Sequence, residues 1–146
     1  MQAYHNFGTA PTRGASTADT FKAALYLTTG SVDASTTAYT ATGEVTSTNY
    51  TAGGVTVTNA NPPTSTNSSA TAGVGYWTPS ASIVYGSSGT PVTFASFNAV
   101  LIYNSTQSNR AVSVHTFTAQ TVTSGTFTLT MPSNTTSTAL LRLATT

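Results

Sequence analysis

The sequence predicts an all-β fold: a single-domain β-sandwich or jelly-roll-like barrel of about eight or nine strands, preceded by an extended N-terminal arm. Three observations predict it. Apolar and polar residues alternate in many short segments, which is the period of a strand with one buried face. Turn-forming residues interrupt these segments about every ten residues. The 34 threonines and 18 serines supply hydroxyl side chains that suit the exposed face of a sheet.

The chain length fits one domain, because 146 residues lie within the usual domain size. The composition is nearly uniform and indicates no internal boundary. Residues 1–20 combine glycine, proline, serine and threonine with no sustained period, so we expect an arm there. Residues 21–146 are expected to form the β-sandwich domain.

The first strands follow from alternation and from glycine. Residues 21–27 place Phe21, Ala23 and Leu25 on one face and predict a strand. Residues 49–52 and 55–58 flank Gly53-Gly54, where both central residues can take a positive φ, so we expect a hairpin. The polar residues 59–72 predict a long surface loop.

The middle of the chain holds the most apolar segment. Short strands are predicted at residues 75–78 and 81–85, followed by a turn at residues 86–89. Residues 92–103 form the next strand, and its end, Ala99–Tyr103, is apolar on both faces. Such a strand is typically central in its sheet or covered on both sides.

Four further strands complete the fold. Residues 110–118 predict one strand after the loop at residues 104–109. Residues 121–123 and 126–131 flank Ser124-Gly125 and predict a second hairpin. Ala139–Leu143 predicts the last strand.

The scarcity of charge excludes several functions. Only 5% of the residues are charged, against about 25% in an average soluble domain. The positive residues are Arg13, Lys22, Arg110 and Arg142. Four cations are too few for a nucleic-acid surface, which needs roughly 6–10 phosphate contacts, or for a patch that binds anionic lipid. The longest aliphatic run, residues 99–102, is far too short to span a membrane. Residues 1–6 contain neither a basic region nor an apolar region, so we expect no secretion signal there.

Catalytic and metal-binding motifs are also missing from the sequence. The titratable candidates are Asp19, Asp33, Glu44, His5 and His115. They form no nucleophile elbow, calcium loop or glycine-rich phosphate loop, and cysteine is absent. We therefore expect no enzyme, no cofactor and no metal site. His115 is expected to be a strand residue with a hydrogen-bond partner.

The aromatic residues allow one binding hypothesis. Tyr76, Trp77 and Tyr85 could form a platform on which sugar rings stack, with asparagine and threonine as hydrogen-bonding partners. The favoured alternative is that these rings pack in the core, with one tyrosine facing outward.

Several stretches together resemble a known group of proteins. They are residues 21–26, 33–39, 43–45, 49–55, 99–105 and 108–112. This pattern resembles small virion structural proteins of tailed bacteriophages, of the capsid decoration or cement type, over roughly residues 20–130. The resemblance implies a non-enzymatic particle component located in the virion and assembled in the bacterial cytoplasm.

The leading hypothesis is a capsid decoration protein that binds and stabilises the shell. Its partner would be the major capsid protein or another virion protein. A net charge of +1 gives little mutual repulsion, so we expect a homo-oligomer, a trimer or a dimer. Tyr4, Phe7 and Arg13 are the expected partner contacts of the arm, because aromatics and arginine dominate interface energetics. The alternatives are a tail, neck or fibre component and a carbohydrate-binding surface module.

Overall fold

A computed structural model describes residues 19–66 and 73–144, and this part of the chain contains strands and no helix. The all-β fold class predicted from the sequence is confirmed. The strands are β1 (Phe21–Leu27), β2 (Val55–Thr56), β3 (Thr64–Ser65), β4 (Val74–Trp77), β5 (Ile83–Tyr85), β6 (Val92–Asn104), β7 (Arg110–Gly125), β8 (Phe127–Leu129) and β9 (Leu141–Ala144). The predicted arm and its contacts Tyr4, Phe7 and Arg13 lie outside the described residues.

The strands form three antiparallel sheets. Their strand orders are β2-β1-β6-β7, β3-β4-β9 and β5-β8. Each of these sheets is open, and none of the described strands closes a sheet on itself. The described strands therefore form no closed barrel, and their open antiparallel sheets are consistent with the predicted sandwich-like fold.

The described chain packs into two compact units. The larger unit comprises Asp19–Val57 and Ile83–Leu129, and the smaller unit comprises residues 58–66, 73–82 and 130–144. The uniform composition gives no sign of this division. The boundary predicted near residue 20 stays a prediction, because residues 1–18 lie outside the described part.

The core of the larger unit is built on the antiparallel pair β1 and β6. Their register runs from Phe21 opposite Asn104 to Tyr26 opposite Ala99 without a break. Ala99–Tyr103 is buried along its whole length, with strands on both sides of β6, so the prediction of a central strand is confirmed. Phenylalanine rings fill the adjoining core, and Phe97 meets Phe127 edge-on with 4.8 Å between ring centroids.

The first predicted hairpin is wrong. Residues 49–52 form no strand and lie between two turns, at residues 48–49 and 52–53, and β2 pairs with β1 through Ala23 opposite Val55. Gly53 and Gly54 do take positive φ values, 91° and 75°. These glycines do not form a hairpin turn. Gly54 instead lies directly against the Ala23 backbone, where a side chain would overlap the carbonyl oxygen.

The second predicted hairpin is also wrong. The strand predicted to end at residue 118 continues as β7 to Gly125 and pairs with β6. Ser124 takes a φ of 46° at the end of β7. The chain then enters β8, which pairs with β5 through Tyr85 opposite Phe127. Alternation identified residues in strands, but it carries no information on their partners.

The outer strand of the largest sheet is irregular. β7 has β6 on one side and forms the sheet edge on the other. Its register against β6 shifts in four places. The longest unbroken stretch pairs Ser113–Thr116 with Ala99–Ile102. These shifts are β-bulges or similar irregularities, which increase local twist.

The smaller unit contains a regular three-stranded sheet. Residues 64 and 65, which were predicted to lie in a loop, form β3 and pair with β4. The indole nitrogen of Trp77 donates hydrogen bonds to Asn59 Oδ1 at 3.0 Å and to the Asn61 carbonyl at 3.1 Å. These bonds attach the segment that connects β2 to β3 to Trp77 of β4. The last predicted strand is present as β9, which begins two residues later and ends one residue later than expected.

Candidate functional site

The polar centre of the larger unit is Glu44, whose side chain is only 7% exposed. Its Oε1 accepts hydrogen bonds from the Tyr50 hydroxyl at 2.5 Å and from the Gly53 backbone N–H at 2.8 Å. Its Oε2 accepts a hydrogen bond from the Tyr39 hydroxyl at 2.7 Å. Three neutral donors thus satisfy the buried carboxylate, as burial of a charge requires.

Backbone bonds place Glu44 at this point. The Leu27 N–H donates to the Gly43 carbonyl at 2.8 Å, and the Val45 N–H donates to the Leu25 carbonyl at 3.0 Å. Glu44 therefore lies beside β1 like a residue of an added strand, as its bridge to Tyr26 shows. Gly43 takes a φ of 78°, a conformation that favours glycine and turns the chain into this position.

Two more tyrosines surround the carboxylate. The Tyr103 hydroxyl donates to the Gly53 carbonyl at 2.7 Å, and the Tyr26 hydroxyl donates to the Thr40 carbonyl at 2.6 Å. The rings of Tyr39 and Tyr103 stack with 4.9 Å between centroids. Together with Glu44, the residues Tyr26, Tyr39, Tyr50 and Tyr103 form what we call the glutamate–tyrosine cluster. It ties residues 39–53 to β1 and β6.

The cluster holds its phenols in the protonated form. Burial raises the pKa of Tyr26 to about 12. Burial, with the hydrogen bond to Glu44, raises the pKa of Tyr39 and of Tyr50 well above the usual value of 10.0. A phenol that keeps its proton to such high pH does not act as a general base near neutrality. The arrangement is suited to holding the chain together.

These pKa shifts predict alkaline unfolding. A raised pKa in the folded chain gives stability that is complete below pH 10, the pKa of an ordinary tyrosine, and is lost as the pH rises through the folded values. We expect β-structure and the near-ultraviolet absorbance of tyrosinate to change together above pH 10. Parallel circular dichroism and absorbance titrations measure this. Conversion of all seven tyrosines to tyrosinate with unchanged circular dichroism would contradict the prediction.

The other described acids and the described histidine also have hydrogen-bonding partners. His115 Nε2 lies 3.0 Å from the Ser113 hydroxyl, and burial lowers the pKa of His115. The prediction of a strand histidine with a partner is therefore confirmed. Asp33 accepts bonds from the hydroxyl and N–H of Ser35, which lower its pKa. Asp19 accepts bonds from two side-chain amides. In residues 19–66 and 73–144, no three acids and histidines lie together in a way that could hold a metal ion.

The smaller sheet carries a shallow groove of about 490 Å³. In its register Gly75 lies opposite both Ser65 and Leu143, and Trp77 lies opposite Leu141. Residues opposite each other and two apart share a face of a sheet. Gly75, Trp77, Leu141 and Leu143 therefore share one face of the sheet at this groove. We call the groove the apolar trough, and its full lining is Pro63, Thr64, Ser65, Gly75, Tyr76, Trp77, Leu141, Arg142 and Leu143.

Gly75 and Leu143 give the trough its shape. A side chain added at Gly75 would meet nothing closer than the Leu143 carbonyl at 3.9 Å, so the absence of one leaves open space at the centre. Leu143 is 78% exposed, so its side chain faces solvent. The trough is thus an apolar surface open to solvent.

The predicted carbohydrate platform is not assembled. Trp77 is 2% exposed and Tyr85 is 1% exposed, so neither presents a ring face on which a sugar could stack. Tyr76 is half-buried and lies on the sheet face opposite to Trp77. Tyr85 belongs to the larger unit, where its hydroxyl donates to the Ala23 carbonyl. Core packing, the favoured alternative, describes Trp77 and Tyr85.

No helix in the described part of the chain is long and apolar enough to cross a membrane. Comparisons with protein-family models, with curated proteins and with solved structures found no match to this chain. Its function is therefore inferred from its own residues.

Proposed function

We propose that this chain is a non-enzymatic structural protein of a bacteriophage particle, a capsid decoration protein that binds and stabilises the shell. The proposal rests on the observation that the surface is suited to contacts between uncharged groups. The described part of the chain combines few charges with many hydroxyl groups and an exposed apolar trough. Hydroxyl hydrogen bonds and apolar contacts are little weakened by salt, unlike attraction between exposed charges.

The state of the titratable groups supports a structural role. Glu44 is closed in by its three donors, and His115 is paired with a hydroxyl. Asp33 is held in its own turn. Acid–base catalysis needs a titratable group within reach of a substrate. The bonds of these groups serve the fold instead.

The positions of the resembling stretches also support the proposal. The five members of the glutamate–tyrosine cluster all fall within the stretches that resemble phage virion proteins. Those stretches also supply β1 and the buried end of β6. The resemblance therefore concerns one connected piece of structure, in which the buried carboxylate clamps a loop onto the central strands. A rigid scaffold of this kind suits a protein that must reinforce a shell.

Electron cryomicroscopy of the intact particle tests the proposal. We expect density for this chain repeated over the icosahedral shell, and gel stoichiometry that matches the number of shell sites. Washing particles at rising salt should leave the occupancy unchanged, because the contacts are neutral. Density confined to one vertex or to the tail would contradict decoration and favour a tail, neck or fibre component.

A further inference from the structure

The smaller sheet has an exposed apolar edge. Among the described residues, the large hydrophobic side chains exposed to solvent are Leu143 at 78% and Val84 at 47%. Leu143 lies in β9, which is the last strand of its sheet. A sheet edge presents unpaired backbone N–H and C=O groups, and an apolar edge is a template for pairing with another strand.

The free edges of the chain differ in regularity. β7 is longer than β9, but the four register shifts against β6 interrupt its row of backbone groups. The start of β7 is also covered, because the Ala111 N–H donates to the Thr37 carbonyl. β3 has only two residues, both polar. The edge strands β2, β5 and β8 have only two or three residues each. Among the described strands, β9 pairs with β4 over the four residues Leu141–Ala144 without any shift, so its outer side offers the longest regular edge.

We propose that β9 pairs antiparallel with β9 of a second copy of this chain, across a two-fold axis. The two three-stranded sheets then join into one six-stranded sheet. The occupant is a second copy because a net charge of +1 gives little repulsion between copies, and because an edge without acids offers nothing specific to a basic partner. This inference goes beyond the capsid proposal and does not depend on it.

The charge on Arg142 selects the register. A two-fold axis perpendicular to the sheet keeps the two troughs on the same side of the joined sheet. Each residue of one β9 strand must therefore lie opposite a residue of the other β9 strand whose side chain is on the same face. Centring the pair on Arg142 would place two arginines directly opposite each other, which is destabilising. Centring it on Leu143 places the two leucines together and puts Arg142 opposite Ala144 of the second copy.

The Leu143-centred register also explains the trough. The two troughs become continuous across the axis, and each Leu143 is covered by its symmetry mate. Burying a leucine side chain contributes substantially to association, since the hydrophobic effect scales with the apolar area removed from water. The exposed leucine thereby becomes the centre of a symmetric interface.

Sedimentation equilibrium of the full chain over a range of concentrations tests the pairing. We expect a dimer for the wild type and a monomer for Leu143→Lys, because two lysines would then face each other. Val84→Lys is the matched control, with the same change at an exposed residue away from β9, and should remain a dimer. A monomeric wild type, a trimer, or a Leu143→Lys variant that stays dimeric would overturn the inference. Circular dichroism verifies that both variants are folded.

A gain of affinity tests the register. Ala144→Glu would place a carboxylate opposite Arg142 of the second copy, twice by symmetry. We expect the dimer to tighten by roughly 2- to 30-fold at low salt, from two cross-strand ion pairs. An unchanged or weaker dimer would overturn the Leu143-centred register. Particle microscopy remains a separate test of decoration, since a chain that does not dimerise through β9 can still occupy shell sites.

Discussion

Replacing Glu44 with alanine should lower the free energy of unfolding by about 3–5 kcal/mol, since each buried donor left without an acceptor costs about 1–3 kcal/mol. The change leaves the Tyr39 and Tyr50 hydroxyls and the Gly53 N–H without the acceptor that they have in the wild type. It also leaves a cavity beside β1. Urea denaturation of the variant and the wild type measures the loss.

Two further variants separate the carboxylate from simple deletion. Glu44→Gln keeps the shape and one carbonyl oxygen, so Tyr50 and Gly53 retain an acceptor while the Tyr39 hydroxyl must reorient. We expect a smaller loss than for alanine. Asp33→Ala removes an exposed carboxylate that bonds only within its own turn, and should have little effect. If Glu44→Ala were no more destabilising than Asp33→Ala, the cluster would contribute nothing to stability.

Replacing Gly54 with alanine should destabilise the chain by about 4 kcal/mol or more, or prevent folding, because strain and overlap act together. The added Cβ would overlap the Ala23 carbonyl oxygen and lie 2.7 Å from the Ala24 Cα. All of these are backbone atoms in the central pair of strands, so they cannot yield as a side chain can. The φ of 75° adds a conformational cost for any residue with a side chain.

Gly89→Ala is the matched control for Gly54→Ala. A side chain added at Gly89 would meet nothing within 4 Å, and this glycine does not take a positive φ. We expect a change within about 0.5 kcal/mol, because the site is open. Thermal melts of both variants compare the two positions. Equal melting temperatures would show that the close approach of Gly54 to β1 has no energetic consequence.

Alternation predicted where most strands lie. Residues 21–27 and 92–103 were predicted correctly, because β1 and the Ala99–Tyr103 end of β6 are apolar segments that are buried in the core. Alternation could not predict partners. β2 and β8 each pair with a strand far away in the sequence, while the nearby segments expected to form hairpins with them do not.

The glycine pair correctly predicted positive φ values, but the hairpin inferred from it was wrong. Gly53-Gly54 does adopt the positive φ values that a hairpin turn requires. The same freedom lets the chain approach the Ala23 backbone, and composition alone does not distinguish these uses. The tertiary environment decides between them, since only the folded chain brings β1 beside Gly54.

The glutamate–tyrosine cluster was missed, although the sequence contains a signal for it. Glu44 is one of three acids in the chain and lies between Tyr39 and Tyr50, just before the glycine pair. An isolated acid flanked by phenols in a charge-poor chain indicates a buried acceptor. Tyr26 and Tyr103 could not be added from the sequence, because β1 and β6 bring them in from distant positions. The aromatic platform was predicted from residues that are close in the sequence. Tyr76 and Trp77 are neighbours along one strand, so their side chains point to opposite faces of the sheet.

The irregular edge of β7 has a consequence for the protein during its synthesis. Many proteins guard an exposed sheet edge with lysine or glutamate, and residues 111–125 contain neither. A long, straight edge of threonine and valine would recruit further copies without limit and grow into fibres. The bulges of β7 break that template by geometry in a chain that has almost no charge to use for it. The chain thereby limits uncontrolled strand pairing at its longest edge without relying on lysine or glutamate.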